Sequence, residues 1–379
     1  MKSFSLQIAS EELATALQTH KEHKPDIVIV FTSCAVMKTA EIAATIKATF
    51  PSARIIGCTT SGEIGNSVQD DSLVVMGLGF QKSTIKCASA MADGPQSMAA
   101  VGKSLAQSLM GDDLAGVFVL SPGVNVNGSK LTQALKEHLP ADVSISGGLA
   151  GDGLQFSETW TILDDKMANN MVVAFGVYGK DVVIRNGSRG GWKPFGPLRR
   201  VTRAQENILY ELDGKPALDL YKEYLGDKVA DLPSSGLLYP FAIMRPDGNS
   251  VGLIRTILNI NEDENSLILA GDLEVGQLVC LMHGNTDDLT TAAGVAATRS
   301  MADEEADDGA AAICVSCVGR KILMGNDTEE ELECVRDILG TRSLAGFYSY
   351  GEIALSEDTA EAELHNQTMT ITCISEKAG

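Results

Sequence analysis

Leu344-Ala345-Gly346-Phe347-Tyr348-Ser349-Tyr350-Gly351-Glu352-Ile353 sets the plan of this chain, because a near copy stands close to its start. That copy is Ile55-Ile56-Gly57-Cys58-Thr59-Thr60-Ser61-Gly62-Glu63-Ile64. Both read as a short apolar strand, a glycine, a run of small or aromatic residues, then Gly-Glu-Ile. A weaker third copy is Val143-Ser144-Ile145-Ser146-Gly147-Gly148-Leu149-Ala150-Gly151-Asp152. It keeps the second glycine and the acid after it, with Ser146 where the first glycine would be. A backbone that turns sharply, or that lets a ligand approach its peptide groups, favours glycine because no Cβ stands in the way. The three corners are therefore the candidate sites.

The flanking pattern repeats with the corners. Asp26-Ile27-Val28-Ile29-Val30-Phe31 is a continuous β-branched run, as expected of a strand buried on both faces. A helix over 39–50, a strand over 54–57, the first corner and a strand over 72–80 follow, with 84–91 expected as the hairpin partner of the last. The second round reads as helix 95–109, strand 116–120, helix 129–138, strand 143–145, the second corner, and strand 171–178 with 181–184 as its neighbour. The third reads as helix 287–301, strand 311–316, helix 329–339, strand 343–346, the third corner and strand 369–374. This is an internal structural repeat. Short β-α-β crossovers imply parallel neighbours covered by helices, and the hairpins add antiparallel strands. The fold class expected is α/β (mixed α+β): mixed sheets flanked by helices, built from strand-helix-strand-Gly corner-strand units in two modules.

Between rounds two and three the composition changes. Residues 187–197 form a Gly/Pro-rich loop holding Trp192, followed by a strand pattern over 201–212 and a helix over 216–225. Four antiparallel strands are then expected over 239–245, 251–259, 266–270 and 279–283. The boundary is placed within 226–233. That gives an N-terminal helix in 1–24, a first module over 25–226 and a second over 227–379.

Composition narrows the class. The 379 residues are 44% hydrophobic, enough for a folded core. No apolar run approaches the ~20 residues of a membrane span, and the start leads directly into a polar stretch without a signal peptide. The expected compartment is the cytoplasm. A net charge of −20 argues against nucleic acid or an anionic membrane as partner. Positive charge gathers locally in Arg185, Arg189, Lys193, Arg199, Arg200 and Arg203. Cys314-Val315-Ser316-Cys317 lacks a second ligand pair, and strand alternation puts its thiols on opposite faces, so zinc is excluded.

The residues around these corners resemble those of FIST-domain proteins. The matching stretches are Gly57 to Glu63, Gly190-Gly191-Trp192 with Pro194 running into Val201-Thr202, and Leu209-Tyr210-Glu211-Leu212-Asp213-Gly214. Tyr239-Pro240, Arg255, Cys314-Val315-Ser316-Cys317-Val318-Gly319-Arg320 and above all Gly346 to Ile353 complete them. The resemblance covers about residues 25 to 375. It implies a FIST N and a FIST C module and intracellular ligand sensing in bacterial signal transduction, as in two-component systems. It also implies an output passed to a histidine kinase or a cyclic-di-GMP enzyme. One branch is similar to haem-based nitric oxide sensors, and other members are associated with amino acids or similar metabolites. The two modules fill the chain, so a separate signalling partner is expected.

The candidate ligand-binding residues are Gly346, Tyr348, Ser349, Tyr350, Gly351 and Glu352, joined by Arg320, Arg255 and Trp192. Tyr348 and Tyr350 have period-two spacing and would wall a pocket with two hydroxyls. Glu352 and Glu63 either hold a ligand or accept hydrogen bonds from their own corners. Arg320 and Arg255 either clamp a ligand carboxylate or form internal pairs. Trp192 is either a lid or a pin for its loop. Haem b would need an axial ligand, for which His283 at the end of Val279-Cys280-Leu281-Met282 is the first choice among the histidines. A rival reading is an enzyme using Tyr348, Ser349, Glu352 and Arg320. Against it, the chain has no GxSxG elbow, no P-loop and no His-rich metal cluster.

Overall fold

Ile27, Ile29 and Phe31 face one hydrophobic core while Val28 and Val30 face another. That is why the run from Ile27 to Phe31 is apolar without alternation: the strand is covered on both sides. The computed structural model describes residues 1–301, 309–356 and 361–377.

The first round consists of β1 (Lys2–Ile8), α1 (Leu13–Gln18), β2 (Ile27–Thr32), α2 (Cys34–Thr39), α3 (Ile42–Thr49), β3 (Arg54–Thr59), the short hairpin β4 (Glu63–Ile64) and β5 (Val68–Gln69), and β6 (Leu73–Gly79). The second is β7 (Thr84–Met91), α4 (Met98–Leu109), β8 (Leu114–Ser121), α5 (Gly128–His138), β9 (Ser144–Leu149), the hairpin β10 (Thr161–Leu163) and β11 (Lys166–Ala168), and β12 (Met171–Tyr178). β13 (Val182–Arg189) opens the third round, which an inserted sheet then interrupts. The insert holds β14 (Lys193–Pro194), β15 (Arg199–Gln205), β16 (Ile208–Leu212), β17 (Lys215–Pro216), α6 (Ala217–Leu225), β18 (Phe241–Met244), β19 (Ser250–Arg255), β20 (Ile257–Asn261), β21 (Ser266–Leu269) and β22 (Leu278–His283). The third round resumes with α7 (Thr286–Ser300), β23 (Ala311–Cys317), α8 (Val318–Met324), α9 (Thr328–Leu339), β24 (Ser343–Ser349), the hairpin β25 (Gly351–Leu355) and β26 (Ala362–His365), and β27 (Met369–Glu376).

Three six-stranded sheets share one order: β1-β6-β2-β3-β10-β11, β7-β12-β8-β9-β25-β26 and β13-β27-β23-β24-β4-β5. In each, the last two strands come from another round. The first round's hairpin pairs with β24, the second's with β3 and the third's with β9. The exchange is cyclic, so no round closes its own sheet. The inner faces of all three sheets meet in one core, where Phe31 stacks on Phe347 at 4.7 Å beside Phe118 and Phe175. Helices α1 and α3, α4 and α5, and α7 and α9 cover the outer faces. Mixed sheets flanked by helices are the architecture expected from the sequence.

Strand partners differ from expectation in two places. Strand 84–91 pairs with β12 instead of β6, and 181–184 belongs to β13, which pairs with β27 instead of β12. The cause lies at the chain start. Residues 2–8, placed in an N-terminal helix on sequence, form β1 and occupy the free edge of β6. Helical turns follow only from Ser10. With that edge filled, each following strand starts the next sheet. The division at 226–233 also falls inside shared structure, since β15 and β16 lie in one sheet with β21 and β22. Among the described residues no helix is long and apolar enough to cross a membrane.

Candidate functional site

The first glycine of each corner answers to its parallel neighbour strand. A Cβ on Gly57 would lie 2.2 Å from the Val30 carbonyl oxygen, on Gly346 2.1 Å from that of Cys314, and on Gly147 1.9 Å from that of Val119. The equivalent of Gly57 is thus Gly147, not Ser146, and the second corner reaches its acid one residue sooner. Three hydrogen bonds link the corners head to tail: Ser61 N–H to Tyr348 O (2.8 Å), Tyr350 N–H to Leu149 O (3.0 Å) and Gly151 N–H to Thr59 O (3.0 Å). Backbone packing accounts for these glycines without a ligand.

The acids after the corners brace the corners themselves. Glu352 is fully buried and bonds to Ser349 Oγ (2.6 Å), Thr368 N–H (3.1 Å) and Thr368 Oγ1 (2.9 Å). Glu63 repeats the arrangement with the Thr60 hydroxyl and with Ser72 through N–H (2.9 Å) and Oγ (3.1 Å). Burial raises Glu63 to about 7 and Glu352 to about 8, against the pull of those hydrogen bonds. Asp152 behaves differently. Burial pushes its carboxyl up, but the Tyr350 hydroxyl and the N–H groups of Glu158 and Ser157 outweigh that and leave it below its usual range.

The other residues singled out on sequence do not converge on one pocket. Arg320 is fully buried and pairs with Glu331 (Nε to Oε2, 2.9 Å), not with Glu352, and it also donates to the carbonyls of Leu289 (2.9 Å) and Gly190. Tyr348 OH and Ser316 Oγ donate to the same Glu331 carboxylate at 3.2 and 2.9 Å. The Tyr348, Ser349, Glu352 and Arg320 cluster is therefore closed to substrate and split between two carboxyl groups. Tyr350 stacks on Phe156 at 4.4 Å and bonds to Asp152. Arg255 is spent on the carbonyls of Asp272, Ile254 and Leu364. Trp192 is buried, its indole N–H on Gln367 O at 2.9 Å, so it pins its loop.

An open cleft of about 520 Å³ lies beside corners one and two, lined by Ser33 to Ala35, Thr60 to Glu63, Asp70, Asp71, Asp152 to Gln155, and Val318, Lys321, Ile322 and Gly325 of the α8 region. Lys321 is the cation among these residues. Its Nζ donates to Ser61 O (3.0 Å) and Asp70 Oδ1 (2.5 Å), and lies 5.6 Å from the centre of the Tyr348 ring. Tyr348 thus serves the cleft from beneath, as a platform for Lys321. The Cys34 thiol donates to Glu158 O at 3.2 Å, and burial raises its pKa, so it is a neutral wall group. Asp70, Asp71 and Asp152 add acids to its lining, and Leu154, Val318 and Ile322 add apolar side chains. Lys321 and Cys34 went unremarked in the sequence. The cue available was that Gly319 and Arg320 open a helix, which turns the next residue away from the buried face.

The family model of the FIST N domain matches residues 26–215, and that of the FIST C domain matches 217–355. The chain belongs to the FIST family. FIST domains are generally sensory domains that bind small ligands in signalling. Uncharacterized protein MJ1623 of Methanocaldococcus jannaschii is 24% identical over 341 residues, covering 81% of this chain and 62% of that protein. Uncharacterized protein MT0656 of Mycobacterium tuberculosis is 26% identical over 231 residues, covering 58% and 59%. The chain thus spans about three fifths of the length of these curated relatives. A solved structure, a cyanuric acid hydrolase from A. caulinodans, aligns over 100% of this chain and 99% of its own at a TM-score of 0.38 and 8% identity. A likeness that low carries no chemistry across.

In FIST terms the cleft is composite. FIST N supplies both corners and the acids, and FIST C supplies Lys321 and the apolar face of α8. The residue expected to anchor a haem, His283, does not line this cleft. It ends β22, half-buried, with its ring edge-on to Phe195 at 5.9 Å.

Proposed function

We propose that this FIST protein is a sensor for a small zwitterion of the α-amino acid class, held in the cleft between its two modules. The observation that carries the reading is Lys321, a FIST C cation laid across one FIST N acid, Asp70, and the FIST N carbonyl of Ser61. A ligand carboxylate replaces Asp70 on Lys321 Nζ, and the ligand ammonium turns to the freed Asp70 and to Asp71. Leu154, Val318 and Ile322 take an apolar side chain. The exchange is cheap. Asp70 is 70% exposed, and an exposed ion pair contributes about 0–1 kcal/mol. The volume of about 520 Å³ lies within the usual range for small-molecule sites. The occupied state is reported to a separate signalling enzyme, a histidine kinase or a cyclic-di-GMP enzyme.

A thermal-shift screen of free amino acids at millimolar concentration tests this. A binder raises the melting temperature in step with ligand concentration over its dissociation constant. Lys321→Ala should abolish that response while the unliganded protein melts within a few degrees of wild type. A hit that Lys321→Ala leaves intact, or one that mass spectrometry finds chemically converted, would overturn the reading.

A further inference from the structure

We propose that a second cleft, between the 190–193 loop, β19 and α7, is a separate site for a small, apolar, uncharged molecule that donates an N–H or O–H to His365 Nδ1. The cleft measures about 520 Å³ and shares no lining residue with the first. Trp192, Val251, Ile254, Met282, Ala292 and Val295 give it an apolar wall, and of its charged lining residues Lys193 and Asp288 neutralise each other at 2.8 Å.

His365 is the chemistry at its base. It ends β26, where Leu364 lies against Gly128 and Gly351 in the core under α5. Alternation turns His365 to the opposite face. There it stands across the ladder from Glu352, whose carboxyl is bonded to Thr368, and Thr368 also lines the cleft. The ring is 2% exposed, with Nε2 3.2 Å from the Ala354 carbonyl oxygen. A carbonyl oxygen only accepts, so Nε2 carries the proton. Burial, and then the charge of Arg255, hold the imidazole down to about 4, so the ring is neutral and Nδ1 is a bare acceptor. Nδ1 has no hydrogen-bond partner among the described residues. Buried polar atoms are almost always satisfied, and an acceptor left empty beside a cleft selects for a ligand that brings the donor.

Matched probes test the donor requirement: indole against 1-methylindole, and phenol against anisole. Each is titrated into the full chain labelled with ¹⁵N-histidine, and the His365 ring nitrogens are read by long-range proton–nitrogen correlation. Indole and phenol should move the Nδ1 resonance towards the hydrogen-bonded position and raise the melting temperature. The methylated partners should do neither. Val295→Phe, which fills the wall from α7 and leaves the histidine in place, should remove the response; Lys321→Ala should leave it intact. Equal responses to methylated and unmethylated probes would overturn the proposal, as would a response that survives Val295→Phe. An Nδ1 resonance already in the hydrogen-bonded position, unmoved by any probe, would mean that water fills the acceptor and would overturn it too.

Discussion

Glu352→Gln should make the protein more resistant to alkaline pH than wild type, and the hydrogen bonding says why. Ser349 Oγ lies 2.6 Å from Glu352 Oε1 and 3.2 Å from the Ser316 carbonyl oxygen, but a hydroxyl has a single proton to give. If Glu352 is protonated, its O–H donates to Ser349 Oγ and the Ser349 hydroxyl donates to Ser316, so both contacts are satisfied. That agrees with a carboxyl raised by burial to about 8 from 4.5. An acid that is neutral in the folded state and ionised in the unfolded one costs stability as pH rises through the window between the two values, because the folded protein then binds more protons. The loss begins near pH 4.5 and is complete above about 8. Between pH 5 and pH 9 it amounts to about 4 kcal/mol, taking about 1.4 kcal/mol per pKa unit. Glutamine reproduces the neutral acid, with its N–H on Ser349 and its carbonyl on Thr368, and it cannot ionise. Urea denaturation at pH 5, 7 and 9 is the assay. The variant should be close to wild type at pH 5 and gain on it by up to about 4 kcal/mol at pH 9. Parallel profiles for the two proteins would show that Glu352 is ionised in the fold and refute the reasoning.

Two further substitutions separate backbone packing from side-chain chemistry. Gly346→Ala should cost about 3 kcal/mol, because its methyl meets the Cys314 carbonyl at 2.1 Å, whereas the nearest atom to a methyl at Gly351 is the flexible Leu364 Cδ1 at 3.2 Å and Gly351→Ala should cost about 1 kcal/mol or less; thermal melts of the pair decide it. Arg320→Met should lower stability by about 3–5 kcal/mol by stranding the buried Glu331 carboxylate, and adding Glu331→Leu should recover part of that loss in denaturant titrations.

The parts of the fold that could be read from the sequence were those that each strand announces by itself. The run Ile27 to Phe31 shows two-sided burial, and the three corners show the repeat, because both signals are local. Strand partnership is not local. That β10 pairs with β3, or β25 with β9, depends on which edges other rounds leave free, and Phe4, Leu6 and Ile8, alternating at the chain start, are what fill the edge of β6. Aligning the second corner on its acid puts it one residue out; the clash at the Val119 carbonyl shows that Gly147 is the constrained position. Glu331 had a signal of its own. It falls on the buried stripe of α9 with Leu332, Val335 and Leu339, and a carboxylate there demands a buried cation. Arg320 was the cation, and that pairing removes it from any ligand.

Consecutive residues on α8 also fix where a ligand's effect can go. Lys321 faces the cleft and Arg320 the interior, so a ligand that pulls on Lys321 loads the same turn of helix that Arg320 ties to Glu331, Gly190 and Leu289. Breaking the buried pair costs about 3–5 kcal/mol, against about 0–1 kcal/mol for the exposed Lys321–Asp70 contact. The weaker contact yields first. α8 is accordingly a fixed post, and the movable partner is the turn carrying Asp70 and Asp71, which leads from the two-residue strand β5 into β6. Hydrogen exchange with and without a saturating amino acid should therefore change in peptides covering 66–72 and leave 318–324 as protected as before. Altered protection on α8 with none at 66–72 would place the moving element on the FIST C side and reverse the assignment.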